Sequence, residues 1–213
     1  MTTQLVILGA GTFAVEILDA VESANEIQAV AFLVSDPGLV VSAVREHLPV
    51  FHPASLPWAP AEVEMIAGIV TTKRRPFIEH MQERGFTFVS AVHSSAVISR
   101  RASRGPGSFA GAGAIVAANT RIERHVVINR GANIGHDVIL GAFSTIGPGA
   151  IVAGGVTIGE GAYVGVGAVI RDRLAIGEGA VIAAGAVVIK SVPPRVLVAG
   201  CPAVIVRENV EPL

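Results

Sequence analysis

Two spacings run through this sequence, and together they predict an α/β unit followed by an all-β coil of stacked short strands. Residues 1–91 alternate aliphatic runs with segments of helical spacing, the pattern of a small parallel sheet flanked by helices. From Val92 the branched aliphatics recur every sixth residue and keep that beat to Val188. The change of period sets the expected division of the chain into domains 1–91 and 92–213.

In the first unit, LVILG (5–9) is a continuous aliphatic run suited to a strand buried on both faces. FAVEILDAVESA (13–24) places Phe13, Ile17, Ala20, Val21 and Ala24 on one helical stripe. IQAVAFLVSD (27–36) predicts a second strand, ending at Asp36 and a Pro37-Gly38 turn. Residues 39–62, with prolines at 49, 53, 57 and 60, read mainly as loop. MIAGIVTT (65–72) predicts a third strand, KRRPFIEHMQERG (73–85) a helix stopped by Gly85, and FTFVSAV (86–92) a fourth strand.

In the second unit, every sixth residue from 92 to 188 is Val, Ile or Leu except Arg104 and Ala110. Four places further on in each hexad the residue is small or β-branched except Leu174, and glycine crowds the positions between. A helix would scatter these residues around its axis, and a flat strand would need period two. Seventeen uninterrupted hexads instead suit short strands joined by tight turns, with one aliphatic side chain per strand stacked in register inside a coil.

Composition narrows the function classes. Charge is balanced, 16 Lys+Arg against 17 Asp+Glu, so no global field favours nucleic acid or an anionic membrane. A single cysteine, Cys201 in AGCPA, removes any internal disulfide framework and reads as a small structural residue. The positive mean hydropathy comes from Ala, Val and Gly, with no run near the roughly 20 apolar residues of a membrane span. MTTQLVILGAG lacks a basic segment before its aliphatic run, so no signal peptide is expected and a cytoplasmic location is.

The hexads, from NIGHDVILG to VAGCPA, together with the N-terminal LVILGAG, resemble the hexapeptide-repeat acyltransferases. The resemblance is to the bacterial nucleotide-aminosugar N-acetyltransferases and their sialic-acid O-acetyltransferase relatives. It implies a Rossmann-like first domain, a left-handed parallel β-helix with three hexads per coil, a homotrimer with sites between subunits, and acetyl-CoA as co-substrate. Members carry a His followed by an acidic residue where this chain has His136 and Asp137. Spacing puts the pair at a corner of the coil, pointing outward, where a histidine is either merely solvated or free for chemistry. The resemblance makes His136 the base that takes the proton of a substrate amine, and Asp137 the group that fixes its tautomer.

A coil of three hexads stacks Gly154 on His136, where its N–H faces a developing oxyanion if it is not simply a corner glycine. Asn129 matches an asparagine that contacts substrate in similar enzymes. Coenzyme A is expected along Thr145, Gly154, Val166, Ala184 and the loop around Pro202. Some relatives have a second His in place of Thr145, and often Lys or Arg where this chain has Val204; Arg207 is the nearby arginine.

The loop Gly9-Ala10-Gly11-Thr12-Phe13-Ala14 fits G-x-G-x-x-A, which alone also suits NAD with Asp36 on the ribose. No second βαβ half follows it, so a nucleotide-sugar phosphate at the helix N-terminus fits better. Gly9, Gly11, Thr12, Phe13 and Asp36 are its candidate contacts, although relatives often have Gly and a basic residue where this chain has Ala14 and Val15. Lys73, Arg74 and Arg75 fall in the first turn of an expected helix, where the dipole disfavours cations. They are either solvated or face the substrate phosphates. The basic residues Arg100, Arg101 and Arg104 read as a solvated edge.

The leading expectation is acetyl transfer to the amine of a nucleotide-linked aminosugar; O-acetylation and a non-catalytic sugar-nucleotide-binding trimer are alternatives. A zinc site of His93, His125 and His136 is disfavoured, because 125 and 136 hold different places in their hexads.

Overall fold

The computed structural model describes residues 3–24, 27–36, 38 and 48–211. Strand β1 (Thr3–Leu8), helix α1 (Thr12–Ala24) and strand β2 (Ile27–Leu33) form the expected βαβ unit. Short β3 (Val50–Phe51) and β4 (Glu64–Ala67) complete a parallel sheet of order β3-β2-β1-β4. The aliphatic run of β1 is continuous because both its faces are covered. Leu5 and Ile7 pack in the α1 layer, while Val6 and Leu8 join Ile78 and Met81 of helix α2 (Arg75–Glu83).

Several boundaries differ from the sequence reading; the helix expected over 73–85 begins only at Arg75, with Lys73 and Arg74 in a 3₁₀ turn (Thr72–Arg74) before it. The strand expected over 65–72 stops at Ala67, where its partner β1 ends at Leu8; Gly68 just beyond lies so close to Ile7 and Ala14 that a Cβ there would stand 2.8–2.9 Å from them. Gly68 on the sheet side thus lets Ala14 of α1 pack close against the sheet. The strand expected over 86–92 splits: Phe88 makes only a bridge to Met65, whereas Ala91–Val92 is the first rung of the coil, paired with Phe109–Ala110. The loop expected over 39–62 holds β3 and a 3₁₀ turn at Pro53–Ser55; its residues 39–47, and Pro37 of the expected turn, lie outside the described residues.

From Ala91 the chain winds into a three-faced coil of two-residue strands in parallel sheets of five, eight and six strands. Each strand pairs with the one three hexads further on, as Val127–Ile128 does with Thr145–Ile146. Ile134, Val152 and Ile170 illustrate the inward ladder, all within 1% of full burial. The fourth place of each hexad from Gly107 to Gly185 has positive φ, between 56° and 70°. Glycine fills most of these corners; Asn119, His125, Asp137, Phe143 and Arg173 are the departures. A side chain held there stores backbone strain, a mark that often accompanies function.

The hexad run ends early. Ile176 bridges Val192 and Val181 pairs Leu197, each partner two places short of the three-hexad register, so Val192 takes the inward strand position of a shortened last coil. Pro193-Pro194 makes that tight turn against Gly177, where no Cβ would fit. An antiparallel hairpin, Leu197–Gly200 with Ala203–Arg207, finishes the eight-strand face.

The outward residues of the three faces have different fates. On the eight-strand face Phe109 and Val127 are buried against the N-terminal unit. The five-strand face presents Ser103, Arg121, Thr157 and Ala175 to solvent. The six-strand face carries bare aliphatics, Val97, Ile115 and Ile151, exposed by 63%, 44% and 45%. No helix among the described residues is long and apolar enough to cross a membrane.

Candidate active site

His136 and Asp137 sit on the edge where the six-strand face turns into the five-strand face. Asp137 occupies a left-handed corner, φ 56°, with its N–H bonded to the carbonyl of Ala118 one coil earlier. The twist aims its carboxylate back at the preceding side chain, and His136 Nδ1 lies 2.7 Å from Asp137 Oδ2. The other carboxylate oxygen accepts from Asn119 Nδ2 at 3.1 Å. The hydrogen bond from His136 first, and that from Asn119 second, hold the Asp137 carboxyl below its usual pKa. A carboxylate at Nδ1 assigns the proton to that nitrogen and leaves the Nε2 lone pair free.

Nε2 lies over Gly154: a Cβ built on that glycine would stand 2.7 Å from it. The positive φ of this corner, +70°, belongs to Gly155, so position 154 needs glycine for space under the imidazole and not for its backbone angle. Asn119 went unnoticed in the sequence, yet two signals marked it. It lies one full coil before Asp137, and it interrupts the run of corner glycines.

The glycine loop forms a separate hollow of about 330 Å³ at the C-terminal ends of β1 and β4. Gly9, Gly11, Thr12 and Phe13 line it with Ser35 and Phe77. Asp36 is exposed just beyond the lining, where its Oδ1 accepts from Gly38 N at 2.8 Å. Lys73 is exposed and borders no part of this hollow, nor does Arg75, which pairs with Glu79 at 2.7 Å and with Glu160.

Arg74 goes to neither solvent nor ligand. It is fully buried between the N-terminal unit and the coil, and its guanidinium donates to six oxygens. Those across the junction are the carbonyls of His125 (2.8 Å), Phe143 (2.8 Å) and Ser144 (3.0 Å) and Thr145 Oγ1 (2.8 Å). Burial lowers its pKa to about 9, which leaves it cationic at neutral pH. Thr145 is therefore not on the outer surface where coenzyme A was expected: it is wholly buried, and its hydroxyl donates to Val70 O.

His125 stacks on Phe143 at 4.9 Å and meets the edge of Phe88 at 5.1 Å. Burial first, then the charges of Arg74 and Arg124, lower its pKa to about 4. His93, on a third edge, lies 3.4 Å from Asp19. The three histidines thus occupy three different edges of the prism, and no group of three or more His, Cys, Asp or Glu among the described residues is placed to hold a metal ion.

The remaining expected contacts flank the other side of the six-strand face. Val166 and Ala184 are corner residues between the eight- and six-strand faces, and Val166 is 52% exposed. Asn129 approaches the same edge but is 4% exposed, its Oδ1 accepting from Arg130 N at 2.8 Å. Pro202 borders a hollow at the C-terminal end of the coil.

Known proteins match this arrangement along its length. The family described as bacterial transferase hexapeptide (six repeats) matches residues 137–172. PerB from Caulobacter crescentus, solved in complex with CoA and GDP-perosamine, is 32% identical with a TM-score of 0.87, covering 96% of this chain and 98% of its own. The acetyltransferase domain of PglB from Neisseria gonorrhoeae, solved with acetyl coenzyme A, is 29% identical over the whole of both chains, TM-score 0.86. WeeI from Acinetobacter baumannii is 28% identical over 96% of this chain and all of its own, TM-score 0.84. No curated protein sequence matches the chain. With a coil of hexads, a glycine-loop βαβ unit before it and a full-length relative at 32% identity, the chain belongs to the left-handed β-helix hexapeptide-repeat acyltransferases, among the bacterial sugar acetyltransferases.

Proposed function

We propose that the chain transfers the acetyl group of acetyl-CoA to the amine of a nucleotide-linked aminosugar, in the cytoplasm. The observation that carries this reading is the His136–Asp137 pair, 2.7 Å apart, with Nε2 left free above Gly154. Nε2 takes the proton that the amine sheds as its nitrogen bonds to the thioester carbonyl carbon. The C–S bond then breaks, and the departing thiolate receives the proton from the imidazolium. Asp137 stabilises that imidazolium, Asn119 positions Asp137, and the Gly154 N–H faces the oxyanion of the tetrahedral intermediate.

The glycine-loop hollow suits the nucleotide, with its diphosphate at the N-terminus of α1 and Asp36 at its mouth toward the ribose. The bare aliphatic face supports a trimer: turned toward a three-fold axis, it removes Val97, Ile115 and Ile151 from water. The same rotation brings the His136 edge of one subunit beside the neighbour's edge carrying Asn129, Val166 and Ala184. That juxtaposition makes one cleft of two half-sites and leaves residues 1–91 to hold the nucleotide while 92–213 hold the acyl donor.

Release of free thiol from acetyl-CoA, followed with GDP-, UDP- and dTDP-linked aminosugars and with the free aminosugars, tests the reading. At least one nucleotide-linked amine should turn over with a kcat/KM well above that of its free sugar. Transfer confined to hydroxyl acceptors, or equal rates with and without the nucleotide, would overturn it.

A further inference from the structure

Helix α1 lies along the edge of the coil where the eight-strand face turns into the six-strand face. Three contacts fix its direction. The Ser94 N–H donates to Ser23 Oγ at 3.0 Å, His93 Nε2 lies 3.4 Å from Asp19 Oδ2, and Arg130 Nη1 lies 2.9 Å from Glu16 Oε1. Ser94, Ala112 and Arg130 are third-place residues one coil apart on this edge. Two rungs of about 4.8 Å span nearly the same length as the helix from Ser23 back to Glu16, at about 1.5 Å per residue. The N-terminus of α1 therefore points along the edge beyond Arg130. Thr12, one helical turn before Glu16, lies about 6 Å further on.

Thr12 lines the glycine-loop hollow, so the Arg130 guanidinium is stationed about one helical turn from its lip. None of the described residues that line the hollow is charged. At position 15, where relatives often carry a basic residue, Val15 packs into the apolar layer of α1. The N-terminus of α1 offers a diphosphate partial charges but no full counter-charge. Arg130 pairs with Glu16 at the surface, with 54% and 45% of the two side chains exposed, and such a pair is weak and yields to a stronger acceptor. Residues 130 and 136 belong to one coil, six apart, so in the trimer proposed above Arg130 stands level with the partner subunit's His136.

We infer that Arg130 is a specificity-determining residue: it exchanges Glu16 for the diphosphate of the nucleotide-linked aminosugar and holds that group between the glycine-loop hollow and the partner subunit's His136. The inference rests on the nucleotide-linked acceptor and the trimer of the proposed function. The guanidinium fork matches two phosphate oxygens at once, which a helix N-terminus alone does not provide. Glu16 competes with the diphosphate for this fork and repels it, so the two members of one ion pair act on binding in opposite directions.

Steady-state kinetics with GDP-, UDP- and dTDP-linked aminosugars, each beside its free aminosugar, tests this in Arg130→Ala and Glu16→Gln. Arg130→Ala should raise the nucleotide-sugar KM about tenfold, with the acetyl-CoA KM and the free-sugar kcat/KM unchanged. Glu16→Gln breaks the same pair but frees the guanidinium, and its nucleotide-sugar KM should stay at or below the wild-type value. A KM that rises in both variants would make the pair a mere tether of α1. That result, or a wild-type KM in Arg130→Ala, overturns the assignment while transfer to a nucleotide-linked amine stands. A wild-type chain that uses free and nucleotide-linked aminosugars equally sinks both.

Discussion

The junction and the active-site edge each hold a histidine, 11 residues apart in the coil with the Gly131 corner between them, and the surroundings give them opposite uses. His125 is 1% exposed, stacked between aromatic rings, and its Nδ1 has no hydrogen-bond partner. His136 has 70% of its side chain exposed, an aspartate at Nδ1, and open space at Nε2 above a glycine. Burial suppresses the charge of the first, and the carboxylate beside the second holds its Nδ1 and leaves Nε2 open. The arginine that rivals them in prominence, Arg74, follows the same division: at the junction four of its hydrogen bonds hold two parts of the chain together.

The contrast breaks most visibly at Arg74. Arg74→Ala leaves the carbonyls of His125 and Phe143 without their donor in a buried junction and should cost about 3–5 kcal/mol of stability. Denaturant unfolding measures this, and a loss under about 1 kcal/mol would mean the junction is held by its apolar contacts alone. The next effect is on pH. The folded pKa of His125, about 4, lies below the ordinary 6.5, so the unfolded chain binds the extra proton between these values. Stability is fully present above pH 6.5 and is lost as pH falls towards 4, by an amount of the order of 3 kcal/mol.

The protonated ring would face Arg74 and Arg124, with Glu79 the acid that offsets them. Unfolding curves across that range should flatten in His125→Gln; an unchanged slope would assign the acid sensitivity elsewhere. The smallest effect belongs to the edge. Asn119→Ala should lower kcat about tenfold through a less well aimed Asp137, with stability within about 1 kcal/mol of wild type. Asn119→Asp, which keeps the shape but removes the donor, should not restore the rate. A change in melting temperature with no change in kcat would reduce Asn119 to a corner residue.

The sequence made much of the coil legible, because each hexad reports its own inward residues and needs no distant partner. Ile134 and Leu140 mark the faces, and the place of His136 between them follows from counting. What it left hidden depends on residues far apart in the chain. Nothing local in TTKRRPF says that Arg74 will enter the junction while its neighbours stay outside, since its acceptors there lie 51–71 residues away. Thr145 was read as surface for the same reason: its face of the coil is covered only after the N-terminal unit docks. The strand expected over 86–92 failed differently, as its residues are shared between two architectures that each accept an aliphatic run. The corner glycines offered a signal that was open to reading. All five departures from glycine fall at the junction or along the active-site edge.

The central claim is that His136 is the base. Its most direct test is kcat for acetyl transfer by His136→Ala, measured with a melting curve on the same sample. An exposed side chain can be removed without unfolding the coil, so the melting temperature should match the wild type while kcat falls by roughly 10²–10⁴-fold. Acetyl transfer at the wild-type rate from the folded variant would contradict the account.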